Sequence, residues 1–208
     1  MKESTIKQFI PYSDINLSDA PERMIIDNFL EPQDRDRLFE FITQETFPYF
    51  ISDQYTNWLP PWHPEYKYNP KEWRMQHNIS EAGNYHSPIE DFKRVLQPIR
   101  HKLNPVLTIR EKLNMDMNKG EPYTSNWHVD VDFLHETNFY TAIYYVNENN
   151  GYTQFLSDKA PVKSKENRLL LFRSDHAHRA VTQTDTERRY VLNLNYYLRQ
   201  LPYEGKRF

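Results

Sequence analysis

The chain has 208 residues, a formal net charge of −3 and no cysteine. A domain of that length can bury a sizeable core, and its charge offers no broad basic field for nucleic acid or an anionic membrane. Without thiols there are no disulfides or thiolate sites, so His and carboxylate side chains are the strong metal ligands that remain.

Residues 1–22 are polar and interrupted by proline, and are expected to form an arm or an edge strand. The N-terminus lacks the apolar core of a signal peptide, and no apolar run reaches the length of a membrane span. A soluble, cytoplasmic protein is therefore expected. Residues 24–30 read as a short apolar strand. Pro32 suits a first helical turn, and Leu38, Phe39, Phe41 and Ile42 supply a helical stripe after it.

From residue 47 to residue 85 the chain is rich in Tyr, Trp and Pro, and its pattern assigns no regular element. Such a segment suits either a substrate lid or packing over the surface. Trp58, Trp62, Tyr66 and Trp73 are its candidates for stacking on a substrate. His63-Pro64-Glu65 spells a His-x-carboxylate pair, but a proline inside the pair argues against a ligand-bearing strand.

Ser87-Pro88-Ile89-Glu90 has the form of a capping box, opening a helix expected to run to about Leu103 with a kink at Pro98. Strands are expected over residues 106–117, 138–147, 168–173 and 189–198, separated by turns such as Asn118-Lys119-Gly120 and Asn149-Asn150-Gly151. Helices first and strands after predict an α+β chain with a jelly-roll sheet sandwich. Residues 1–208 are expected to form one domain. In it residues 1–104 supply the arm, the helices and the aromatic loop, packed on a core at 105–200.

The stretch Trp127-His128-Val129-Asp130-Val131-Asp132-Phe133 carries the chemistry. In an extended strand His128, Asp130 and Asp132 share a face, and an imidazole with a carboxylate two positions on is half of a metal site. A second imidazole would complete a two-His, one-carboxylate facial triad, which leaves metal positions open. His135 reads as a solvated turn residue, whereas either His176 or His178 could supply that ligand. Further on, alternation puts Arg189, Val191, Asn193 and Asn195 on one face, and Tyr190, Leu192, Leu194 and Tyr196 on the other. An inward Arg189 needs a negative partner. No protein carboxylate is evident for it in the sequence, so an acidic small molecule is the expected partner, held bidentately.

The motifs HVD, YTAIYYVN, NGYTQF, NRLLLFRSDHAHRAV and RYVLNLNYY follow one another between about residues 105 and 198. In that order they resemble the Fe(II)- and 2-oxoglutarate-dependent dioxygenases, and within them the prolyl 4-hydroxylase-like branch. The resemblance implies a double-stranded β-helix (jelly-roll) core with N-terminal supporting helices, and Fe(II) held by His128, Asp130 and His178. It makes His178 rather than His176 the third ligand, by its distance from Arg189. It further implies that Arg189 and Tyr145 grip the distal carboxylate of 2-oxoglutarate, with Thr141 and Ile143 lining the cosubstrate pocket, and that Arg188 faces outward. The implied reaction consumes O2, hydroxylates a C–H bond and releases succinate and CO2.

The implied substrate is a small molecule or a peptide, possible targets being a prolyl residue or another amino acid; neither nucleic acid nor a membrane is expected as a partner. Arg110, Lys112 and Asn114 alternate along one predicted strand and could reach the substrate, although a solvated strand face explains them equally well. The rival reading is a cupin-like jelly roll that holds Zn or Mn without oxygenase activity, for which Arg189 and Tyr145 have no use.

Overall fold

The computed structural model describes residues 9–11, 23–52, 73–130, 138–157, 160–202 and 206–207. Trp58, Trp62, Tyr66 and the 63–65 triplet lie outside the described residues. The first half of the chain supplies strands β1 (Phe9–Pro11), β2 (Arg23–Ile26), β3 (Phe50–Ser52), β4 (Arg74–Glu81) and β5 (Asn84–Tyr85). It also supplies helices α1 (Pro32–Thr43), α2 (Asp91–Val95) and α3 (Gln97–Leu103). The second half adds β6 (Leu107–Met117), β7 (Phe139–Tyr145), β8 (Tyr152–Phe155), β9 (Pro161–Lys163) and β10 (Arg168–Arg173). It ends with β11 (His178–Val181), β12 (Arg188–Tyr197), β13 (Gln200–Pro202) and β14 (Lys206–Arg207).

Nine strands make the large sheet, in the order β14-β2-β10-β7-β12-β6-β4-β3 with β5 paired to β4. A small sheet, β11-β8-β9, faces it, and β1 pairs with β13. Every pairing is antiparallel. This is the α+β, double-stranded β-helix architecture expected above.

Period-two alternation builds two separate cores on the large sheet. One face presents Ala142, Tyr144, Leu192 and Leu194 to Leu38, Ile42, Phe92 and Ile99 of the helices. The other presents Ile143, Tyr145, Leu170 and Val191 to Phe155 and Val162 of the small sheet. Arg189, Asn193 and Asn195 share this inner face, so polar side chains enter the space between the sheets.

Three local expectations need correction. The helix expected to kink at Pro98 is instead two helices, α2 and α3, broken at Leu96, with Pro98 in the first turn of α3. Pro98 has no N–H to continue the ladder from α2. The capping box does not close, because Ser87 Oγ accepts from the Ile89 amide at 3.1 Å and contacts His77 Nε2 at 2.8 Å instead. Residues 127–130 are not a regular strand. Bridges join Thr124 to Val181 and His128 to His178, so four steps on one side face three on the other. The extra residue breaks the ladder as a bulge does, and Ser125 Oγ accepts the Ala180 N–H that a strand carbonyl would otherwise take.

Glu111 fastens α3 to the sheet. Its buried carboxylate pairs with Arg100 and accepts from Tyr196 Oη at 2.6 Å and Ser80 Oγ at 2.7 Å. Burial would raise this carboxyl, but Arg100, with the two hydroxyls, outweighs that and holds it below its usual range. Tyr196→Phe removes one of these charge-assisted bonds and should lower the unfolding free energy by about 1.5 kcal/mol. Urea denaturation measures the loss, and an unchanged midpoint would mean that Arg100 and Ser80 satisfy the carboxylate alone.

Candidate active site

Although the strand is broken, its bridge sets the first imidazole. His128 and His178 exchange both backbone bonds, His128 N to His178 O at 2.9 Å and His178 N to His128 O at 2.8 Å. An antiparallel pair places both side chains on one face, and the ring centroids lie 4.3 Å apart. Each ring is oriented by its own chain. His128 Nδ1 donates to Asn126 O at 3.1 Å and His178 Nδ1 to His176 O at 3.0 Å. A carbonyl only accepts, so Nδ1 of each ring carries a proton, and in the neutral ring the Nε2 lone pair is the one left for another electrophile.

Both Nε2 atoms face Asp130, at 3.9 Å from Oδ1 for His128 and 3.7 Å from Oδ2 for His178. The three ligand atoms lie within 4.8 Å of one another. Burial, with His178 alongside, pushes His128 down to about 4, so the ring is the neutral imidazole that a metal requires. Burial would raise the Asp130 carboxyl, but His178, Arg110 and His128 outweigh it and hold it well below the usual carboxylate range. His176 lies outside this group, with its Nε2 3.9 Å from Asp175 and a side chain 28% exposed.

Asp130 is anchored from the large sheet. Arg110 Nη2 donates to Oδ1 at 3.1 Å, while Thr141 Oγ1 at 3.0 Å and Asn195 Nδ2 at 3.3 Å donate to Oδ2. Asn195 also accepts from Arg110 Nε at 3.0 Å. Arg110, read from the sequence as a substrate contact, therefore spends its guanidinium on Asp130 and Asn195. Thr141, expected at the cosubstrate, bonds Asp130 directly, and its hydroxyl also meets Ser174 Oγ at 3.0 Å.

Arg189 enters the same pocket from β12, beside Ile143, Val191 and Thr153. It has the protein carboxylate that the sequence reading did not find. In the β6–β12 ladder Arg189 stands opposite Asp116, and its Nη1 donates to Asp116 Oδ2 at 3.1 Å, with Nε on Ser164 Oγ at 3.0 Å. Arg74 Nε reaches Asp116 Oδ1 at 3.6 Å. Two guanidiniums thus share one carboxylate, which leaves a net positive charge at this end. Asp116 continues the alternation of Arg110, Lys112 and Asn114 by one step, and that spacing was the signal available for it. Arg188 faces outward, paired with Glu187 at 3.2 Å.

Tyr145 is fully buried next to Arg189, whose guanidinium carbon is 5.8 Å from the ring centroid. The Tyr145 hydroxyl donates to Thr153 Oγ1 at 2.7 Å, and burial pushes the phenol up, so it stays protonated. Close approach explains the glycine of the NGYTQF motif. A Cβ on Gly151 would meet Asn149 Oδ1 at 2.8 Å, and Arg189 Cδ and Val181 O at 3.0 Å.

Residues 114–197, which hold the triad and Arg189, match the family model described as 2OG-Fe(II) oxygenase superfamily. The stretch of the chain that carries the triad and Arg189 is similar to that superfamily. Solved structures share the fold at low identity. The α-ketoglutarate-dependent epimerase SnoN from nogalamycin biosynthesis aligns with a TM-score of 0.57 at 8% identity, over 85% of this chain and 78% of that one. A prolyl-4-hydroxylase from Pseudomonas putida gives 0.52 at 14%, over 88% and 96%. A prolyl hydroxylase from Trichoplax adhaerens, in complex with a hypoxia inducible factor peptide fragment, gives 0.52 at 15%, over 86% and 84%. No protein of curated function matches the sequence.

The matched family is one of Fe(II) and 2-oxoglutarate chemistry, and the donor set present here suits those groups. Two imidazoles and one ionised carboxylate form an open-sided site, and the Arg189–Asp116–Arg74 cluster offers positive charge for a carboxylate. No described helix is long and apolar enough to cross a membrane.

Proposed function

We propose that this chain is a 2-oxoglutarate-dependent hydroxylase in which His128, Asp130 and His178 hold Fe(II). Arg189 and Tyr145 hold the distal carboxylate of 2-oxoglutarate, and Thr141 and Ile143 shape the pocket around it. One observation carries the reading: two imidazoles with free Nε2 atoms, a buried ionised carboxylate and a buried arginine open to one pocket. Bound there, the metal and cosubstrate would activate O2 for oxidation of a substrate C–H bond, with succinate and CO2 as the products of the cosubstrate.

The protein's own residues would position these groups and keep water out. The Nδ1–H bonds of His128 and His178 fix each ring so that Nε2 needs no reorientation. Thr141, Arg110 and Asn195 hold both oxygens of Asp130, so the carboxylate cannot swing away. Ser164 and Asp116 fix the plane of the Arg189 guanidinium, leaving Nη2 for a carboxylate. The Tyr145 hydroxyl, protonated throughout the neutral range, can donate to the same carboxylate by turning from Thr153. Val191 and Ile143 supply an apolar wall, which strengthens each of these interactions.

The likeness to the two prolyl hydroxylases supports an amino-acid target, a prolyl residue among them, presented as a small molecule or within a peptide. Thr141→Val keeps the shape of the side chain and removes its donor to Asp130. It should weaken metal binding about ten-fold, as loss of an outer partner does. Competition with a chromogenic chelator measures this, and an unchanged affinity would assign the orientation of Asp130 to Arg110 and Asn195 alone.

A further inference from the structure

Lys112 stands on the inner face of β6, between Arg110 and Asn114, and opposite Asn193 of β12. Among the described residues it makes no hydrogen bond or ion pair, unlike every other cation of the pocket. Arg110 is bound to Asp130, Arg189 and Arg74 share Asp116, and Arg179 bonds Gln154 at 2.7 Å and lies over the Trp127 ring. Burial, with Arg110 and Arg74 next in effect, pushes the Lys112 ammonium down to about 7.

Two more polar groups beside it lack partners. Asn114, only 4% exposed, has its Oδ1 in no hydrogen bond, and neither has Asn193 Oδ1. Both residues line the same pocket as Lys112. Buried polar atoms left unmatched are costly, so such a group points to a ligand that completes it.

The charge balance gives the ligand's sign. The chain as a whole is acidic, yet five cations meet Asp130 and Asp116 around this pocket. A divalent ion in the triad and both carboxylates of 2-oxoglutarate would still leave positive charge in excess. The cosubstrate's distal carboxylate is matched by Arg189 and its other one by the metal, so neither needs Lys112.

We infer that the substrate carries an anionic oxygen group, a carboxylate or a phosphate, which Lys112 receives beside the metal, with Asn114 and Asn193 taking N–H or O–H donors of the same molecule. Lys112 is then a specificity-determining residue that selects anionic over neutral substrates. This rests on the metal and cosubstrate assignment proposed above.

The test uses inorganic phosphate as the probe, on the full chain loaded with Co(II) and saturated with 2-oxoglutarate, a Zn(II)-loaded sample serving as the diamagnetic reference. Phosphate held at Lys112 lies close enough to the paramagnetic ion to show enhanced 31P relaxation. Lys112→Met keeps the length of the side chain and should weaken phosphate binding about ten-fold, the worth of one charge-assisted contact, while 2-oxoglutarate affinity stays within about two-fold. Equal 31P relaxation in parent and Lys112→Met would overturn the proposal. So would a loss of 2-oxoglutarate affinity in Lys112→Met, which would give the lysine to the cosubstrate. Absence of the effect in a parent sample that holds both metal and 2-oxoglutarate overturns the anion site alone. A parent that binds neither overturns the underlying assignment, and this inference with it.

Discussion

Asp130→Ala is expected to weaken binding of a divalent metal by more than about a hundred-fold. Loss of an outer hydrogen-bonding partner already costs ten- to a hundred-fold, and here the only carboxylate of the His128–Asp130–His178 group is removed. No other carboxylate of the group is left to offset the charge of the ion. His128 is neutral because burial, with His178 alongside, pushes it down to about 4. Arg110, freed from Asp130, adds a positive charge that opposes the metal further. Its side chain is 28% exposed and can turn outward, so the fold should survive. Titration of Fe(II) or Zn(II) against a chelator reads the affinity. Binding within ten-fold of the parent would show that the triad is not the metal site.

Arg189→Met is expected to raise the Kd for 2-oxoglutarate by about a hundred-fold or more while metal affinity stays near the parent value. Truncating one side of a buried, hydrogen-bonded charge pair costs about 2–5 kcal/mol. Arg189 is 3% exposed and tied on two sides, so its remaining N–H groups lose no freedom when they meet a carboxylate. Without it, Asp116 still pairs with Arg74, and the cluster loses the net positive charge that would draw the cosubstrate in. Calorimetry with the metal-loaded protein separates this from a metal defect. An unchanged Kd would mean that another cation, Lys112 first among them, holds the distal carboxylate.

Strand alternation made much of the large sheet legible in the sequence. The face of β12 that carries Arg189, Val191, Asn193 and Asn195 followed from period two, and so did the buried face of Tyr190, Leu192, Leu194 and Tyr196 behind it. The run at residues 139–145 is β-branched and aromatic, and the one at 168–173 is a short leucine-rich stretch, and both read as strands. Residues 127–130 were harder, because a His-x-Asp pair on one face suggests a strand, whereas a one-residue mismatch against β11 reduces it to isolated bridges.

Register also decided what was missed. Asp116 lies 73 positions from Arg189 in the chain, and only the pairing of β6 with β12 puts them side by side. The sequence therefore left Arg189 without a protein partner. Thr141 and Asn195 as anchors of Asp130 depend in the same way on the β7–β12 register, and on the small sheet presenting Asp130 to them. The residues alone left His176 and His178 open, whereas one bridge places His178 beside His128 and His176 lies by Asp175.

The most direct test of the account is an anaerobic titration of the metal-free protein with Fe(II) and then 2-oxoglutarate, watched for the visible charge-transfer band of the chelate. The account predicts a band that appears only with both components and saturates at one equivalent of each. No band, with tight Zn or Mn binding instead, would contradict it and favour a cupin-like metal protein.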